Sequence, residues 1–250
     1  TQGVVNVAWA YARQAQLAEQ SGTGSSAVTI YADIGEDLLY RLFSRIADTL
    51  VRDLNGSGMA TPQHISNTAW AFAVLGLKHG TFLEAMKRFV MQITRSSTQD
   101  KAPLNTFLGP ELAITLWALA SLNAPLEGIA DLASIKLQSL FGKTLDNIPA
   151  DEILAYLNEQ GLRNMIWALD VFNDLPCPLL EFLYRGLLRN AAVSKRESFQ
   201  DDRTAHSTIT SVLYAQILTN LQGNCNELLL PDSFLDEWKG VASSKSTDDR

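Results

Sequence analysis

The chain is short of the residues that redox chemistry, metal binding and catalysis use, and each shortage narrows its function. Only two cysteines occur in 250 residues, Cys177 and Cys225. They have neither metal-ligand spacing nor a redox motif, which argues against a disulfide framework and for a reducing compartment. The three histidines, His64, His79 and His206, have no acid or nucleophile at useful spacing. No Gly-rich phosphate loop opens a helix after a strand. Asp151-Glu152 and Asp201-Asp202 stand near expected helix starts, where the helix dipole favours acids in any case. The chain is therefore expected to be non-enzymatic, with no catalytic residues, no metal or other cofactor and no small-molecule substrate. No apolar run approaches ~18 residues, so no membrane span is expected.

Positive charge is also scarce. Twenty basic residues face 27 acidic ones, for a net charge of −7, which counts against a strongly basic nucleic-acid binder. The balance is uneven. Lys78, Lys87, Arg88, Arg95 and Lys101 outnumber Glu84 and Asp100 across 78–101, whereas nine acids outweigh Lys136, Lys143 and Arg163 across 111–174. The chain opens at Thr1 without a basic or apolar leader, as expected of a processed product or a fragment whose targeting segment is out of view.

What the chain has is a recurring phrase. It reads Asn6-Val7-Ala8-Trp9-Ala10, Asn67-Thr68-Ala69-Trp70-Ala71, Ile114-Thr115-Leu116-Trp117-Ala118 and Asn164-Met165-Ile166-Trp167-Ala168, then Ser211-Val212-Leu213-Tyr214-Ala215. The aromatic anchors at 9, 70, 117, 167 and 214 are 61, 47, 50 and 47 residues apart, and four of the five tryptophans sit on them. A period of this size signals stacked supersecondary units. Each anchor lies on an amphipathic helix, A, followed by a second helix, B. The predicted pairs are Thr1–Gln20 with Ile34–Asn55, Thr61–His79 with Thr81–Arg95, and Gly109–Leu122 with Gly128–Phe141. Pro149–Phe172 with Cys177–Val193 and Arg203–Leu221 with Pro231–Gly240 complete the set. The corresponding units span about 1–55, 61–97, 109–142, 149–193 and 203–240 of one array, and 241–250 reads as a polar tail or linker. Gly161 is a point at which the long fourth A segment can divide.

The expected fold is all-α, a right-handed α-solenoid of about five helix-hairpin repeats. Trp70, Trp117 and Trp167 are expected as packing residues in its core, each beside an alanine that lets neighbouring helices approach. Gly22–Ser26 interrupts the first unit, and the β-branched run Val28-Thr29-Ile30-Tyr31 after it is expected to cover an open end of the array, or to pair with a further N-terminal region or a neighbouring protein.

Three series are candidates for function. Asn6, Asn67, Asn164 and Ser211 stand three residues before their anchors. Asparagine competes with the helix backbone, so its recurrence has either a structural reason or a recognition one, a ladder reading nucleotide edges. Arg163 suits stacking on a base or holding a phosphate, or equally an ion pair with Glu159 one turn earlier. Arg52, Arg95, Lys143 and Lys195 close or follow the B helices; they form either a phosphate rail or the ordinary cations of helix C-termini.

The segment Ile65-Ser66-Asn67-Thr68-Ala69-Trp70-Ala71-Phe72-Ala73-Val74-Leu75-Gly76 resembles the A helix of octotricopeptide-type repeats, with Glu111–Leu122, Leu162–Phe172 and Asn6–Ala12 as looser matches. Such repeats occur in algae and related protists. The resemblance implies an organellar protein, of mitochondrion or plastid, that binds single-stranded RNA in transcript processing, stability or translation. Proteins of this kind also serve as architectural subunits of organellar ribosomes and other large assemblies. The alternative implied is thus a non-catalytic scaffold contacting protein partners, to which the acidic 111–174 stretch is suited.

Overall fold

The computed structural model describes residues 2–20, 35–57, 60–95, 109–174 and 178–187. All the regular structure among them is helical: α1 (Gln2–Gln20), α2 (Glu36–Arg52), α3 (Pro62–Val74), α4 (Gly80–Arg95), α5 (Gly109–Ser121), α6 (Ile129–Phe141), α7 (Ala150–Val171) and α8 (178–187). A π-helical turn, Asp53–Ser57, follows α2, and a 3-10 turn, Leu145–Asn147, precedes α7. The predicted fifth pair, the tail and the 22–33 segment expected as a cap lie outside the described residues.

The anchor-bearing helices pack on one another in chain order, α1 on α3, α3 on α5 and α5 on α7. The others form a second row, α2 on α4 and α4 on α6. Aromatic contacts join the rows. Phe72 of α3 lies 5.1 Å from Phe43 of α2 and 4.8 Å from Phe82 of α4, ring centre to ring centre. Phe72, Leu119 and Leu169, each two residues after an anchor, are fully buried.

This placement corrects one expectation. Trp70, Trp117 and Trp167 are only partly buried, packed against the edge of the core, and Trp9 is 45 % exposed. The reason is rotational: two residues turn an α-helix by about 200°, so when Phe72 points inward Trp70 points away. The alanines beside these three anchors behave as expected, since Ala71, Ala118 and Ala168 are all fully buried, whereas Ala10 beside Trp9 is exposed.

Three of the A helices, α3, α5 and α7, end alike. Six residues after their anchors, Gly76, Asn123 and Asn173 take positive φ values of 66°, 53° and 55°. In each case the next residue donates back to the carbonyl two after the anchor: Leu77 to Phe72, Ala124 to Leu119 and Asp174 to Leu169, all at 2.9 Å. These are Schellman caps, which require a left-handed residue; glycine adopts it freely and asparagine with the least cost among the others. Asp174 also accepts from the backbone N–H of Ala130 at 3.1 Å, so the fourth A helix closes by capping α6 of the unit before it.

The break in α7 falls at Asn158 (φ 51°, ψ 172°) rather than at Gly161. Asn158 Oδ1 accepts from the Gly161 N–H at 2.9 Å, which makes it the cap of the following segment. Gly161 itself lies on the face toward α5, where an added Cβ would make ordinary van der Waals contact with Ala113 at 3.6 Å. Arg185 of α8 donates to the carbonyls of Asp146 and Ile148 at 2.9 and 3.2 Å and also to that of Leu145, holding the turn before α7 in place.

Candidate recognition surface

On an α-helix, residues three and seven before an anchor share its face. The side of the A row turned away from the B helices therefore carries Gln2, Asn6 and Trp9 on α1, and Gln63, Asn67 and Trp70 on α3. It carries Pro110, Ile114 and Trp117 on α5, and Gln160, Asn164 and Trp167 on α7. None of these is fully buried, and Gln2, Asn6 and Gln160 are exposed. Three of the four described units thus present a glutamine, an asparagine and a tryptophan in line, while α5 presents proline and isoleucine instead of the amides. The rings of Trp117 and Trp167 lie 6.4 Å apart at 42°, in the range of a favourable aromatic pair.

On α1 and α7 the two amides are bonded to each other. Gln2 Nε2 donates to Asn6 Oδ1 at 2.7 Å, and Gln160 Nε2 donates to Asn164 Oδ1 at 2.8 Å. Each glutamine oxygen is engaged in turn. Gln2 Oε1 meets His64 Nε2 of α3 at 2.6 Å, and Gln160 Oε1 accepts from Arg163 at 3.2 Å. His64 belongs to a capping box: its backbone N–H donates to Thr61 Oγ1 and its Nδ1 accepts from the Thr61 N–H at 3.2 Å. The glutamines carry this network and were not read from the sequence. The spacing Gln-x3-Asn-x2-Trp, present three times, was the available signal.

Of the predicted site residues, Asn6, Asn67 and Asn164 share this face, one on each of three A helices. Arg163 forms the ion pair with Glu159, at 3.4 Å, that competed with the recognition role. Of the basic series, Arg52 and Lys143 are each bonded within the protein. Arg52 is exposed and donates to the Asp48 carbonyl and Thr49 Oγ1 of its own helix, each at 3.3 Å. Lys143 is bonded to both carboxylate oxygens of Glu152 at 2.9 and 3.1 Å, joining the end of α6 to the first turn of α7. Arg95 is the last residue of α4, and Lys195 and Ser211 lie outside the described residues.

Among the described residues no group of three or more His, Cys, Asp or Glu side chains is placed to hold a metal ion. No described helix is long and apolar enough to cross a membrane. Protein-family models, curated proteins and solved structures return no match to the chain.

Proposed function

We propose that the chain is a right-handed α-solenoid of about five helix pairs that binds single-stranded RNA along the outward face of its A helices. One observation carries this reading: each of the four described, mutually packed A helices turns an incompletely buried tryptophan to the same face, and three of them set an amide beside it. An aromatic ring offers a stacking platform to any base, and a neighbouring amide reaches the base edge; repeat arrays that take one base per helical unit are built in this way. Asn6, Asn67, Asn164, Ser211 and Arg163 would contact bases, and Arg52, Arg95, Lys143 and Lys195 would hold phosphates. With the octotricopeptide resemblance, the setting proposed is organellar transcript processing, stability or translation, in a mitochondrion or plastid. Filter binding over a salt series tests it. Phosphate contacts make log K fall linearly with log salt, by about 0.7 per contact on a single strand. A folded sample with no affinity for RNA at low salt sinks the proposal.

A second reading is favoured by the fate of the cations. Lys143 and Arg163 are bonded to carboxylates and the net charge is −7, which suits a protein-binding scaffold in a large organellar assembly. Co-purification decides between them: nuclease-sensitive nucleic acid on one hand, stoichiometric protein subunits on the other.

A further inference from the structure

The hydrogen bonds on the A face have a direction, and it follows from groups that can only donate. A backbone N–H has no acceptor lone pair, so the Thr61 N–H at His64 Nδ1 makes that nitrogen the acceptor of a neutral imidazole. The ring proton then sits on Nε2 and is donated to Gln2 Oε1. With its oxygen turned to His64, Gln2 directs its amide nitrogen to Asn6, whose oxygen accepts. The remaining Asn6 group, Nδ2 with its two protons, has no acceptor among the described residues. The α7 relay has a different origin and the same end. A guanidinium can only donate, so Arg163 fixes Gln160 Oε1 as acceptor, Gln160 Nε2 as donor and Asn164 Oδ1 as acceptor. The Asn164 NH2 group likewise has no acceptor among the described residues.

The two units between them differ. Asn67 makes no side-chain hydrogen bond among the described residues that would fix its orientation, and Ile114 has no hydrogen-bonding group.

We infer that the A face is a donor surface whose first and fourth units select keto-bearing bases, uracil and guanine, over adenine, while the second and third do not discriminate. The inference rests on the RNA reading above. Uracil O4 and guanine O6 accept from an amide NH2, whereas adenine places an amino donor at the equivalent corner of its edge. The glutamines, His64 and Arg163 are positioning residues here: they hold the asparagines so that the donors face the ligand.

The test uses the full chain and labelled single-stranded oligonucleotides in fluorescence anisotropy at fixed salt, with uracil or adenine placed at one position at a time. The expected result is two positions, three nucleotides apart, at which uracil is preferred by roughly 3- to 10-fold, and near-equal binding at the two between them. Gln2→Leu and Gln160→Leu remove the relays and leave the asparagines free to turn. They should lower the preference at the first and the fourth position respectively, with less effect on total affinity and none on the circular dichroism spectrum. Binding without base preference, or with adenine preferred, overturns the inference and leaves the RNA reading in place. If no oligonucleotide binds, both fall.

Discussion

Gly109, the first residue of α5, lies against the backbone of Tyr156 on α7: a Cβ built on it would come 2.6 Å from the Tyr156 carbonyl oxygen and 2.8 Å from Leu157 Cδ2. The Tyr156 carbonyl belongs to a helix and cannot move aside alone. The third and fourth A helices can therefore approach only because position 109 has no side chain. Gly109→Ala should destabilise by about 1–3 kcal/mol through forced separation of the two helices, read as a lower denaturation midpoint at unchanged m-value. Gly76→Ala meets nothing within 4 Å and should act only through its positive φ, at about 1–2 kcal/mol.

The third helix cap gives a test of repeat equivalence. Asn123 occupies the left-handed position that Gly76 fills in the preceding unit. Asn123→Gly should leave stability unchanged or raise it by a few tenths of a kcal/mol, because glycine adopts this conformation without strain but loses more chain entropy on folding. Asn123→Val should lose about 1–2 kcal/mol. Thermal melts of the two variants should move in opposite directions or differ by several degrees; equal melts would break the equivalence drawn between units.

Tyr156 carries the pH prediction. Its phenol pKa is pushed from 10.0 up to about 12, first by burial and then by the Glu111 charge, and Tyr184 is raised in the same direction by burial. The neutral phenol is the form the fold favours. Its contribution to stability is therefore complete below pH 10 and is lost as pH climbs from there toward 12. Denaturation midpoints should be flat through neutral pH and fall across that alkaline window, and Tyr156→Phe should flatten part of the fall. An ultraviolet titration in which every tyrosine ionises at its ordinary value contradicts the assignment.

Much of the architecture is legible in the sequence because it depends on local spacing. The anchors locate the A helices, the apolar stripes locate their partners, and the alanine after the anchor marks a close helix contact at Ala71, Ala118 and Ala168, though not at the exposed Ala10. The face on which the tryptophans lie is not legible in the same way. Large aromatics bury so often that Trp117 is read as core, yet core direction is set by the whole wheel, and Leu119 takes the inward position. Glycine weakens helices, so the sequence points to Gly161 as the break in α7. The determinant is Asn158, whose backbone leaves the helix and whose side chain supplies the cap. The candidate surface was half legible. Asparagines at a fixed offset stand out, but the His64–Gln2 bond joins residues 62 positions apart and exists only once two helices are packed.

The four tryptophans separate stability from recognition, because their burial differs while their place on the face does not. Trp117 touches the core edge and the ring of Trp167, so Trp117→Ala should cost about 1–3 kcal/mol, below the ~3–5 kcal/mol of a fully buried large-to-small change. Trp9 is 45 % exposed at the free side of α1, and Trp9→Ala should cost under about 1 kcal/mol. If each ring stacks one base, however, the two substitutions should weaken RNA binding alike, by about 1–3 kcal/mol apiece. Replacement by phenylalanine should keep most of that affinity, since the stacking face survives. The decisive variant is Trp9→Ala, measured by thermal melting and anisotropy on the same sample. A near-native melt with a clear loss of affinity places Trp9 in the binding face; a near-native melt with unchanged affinity removes the first unit from it.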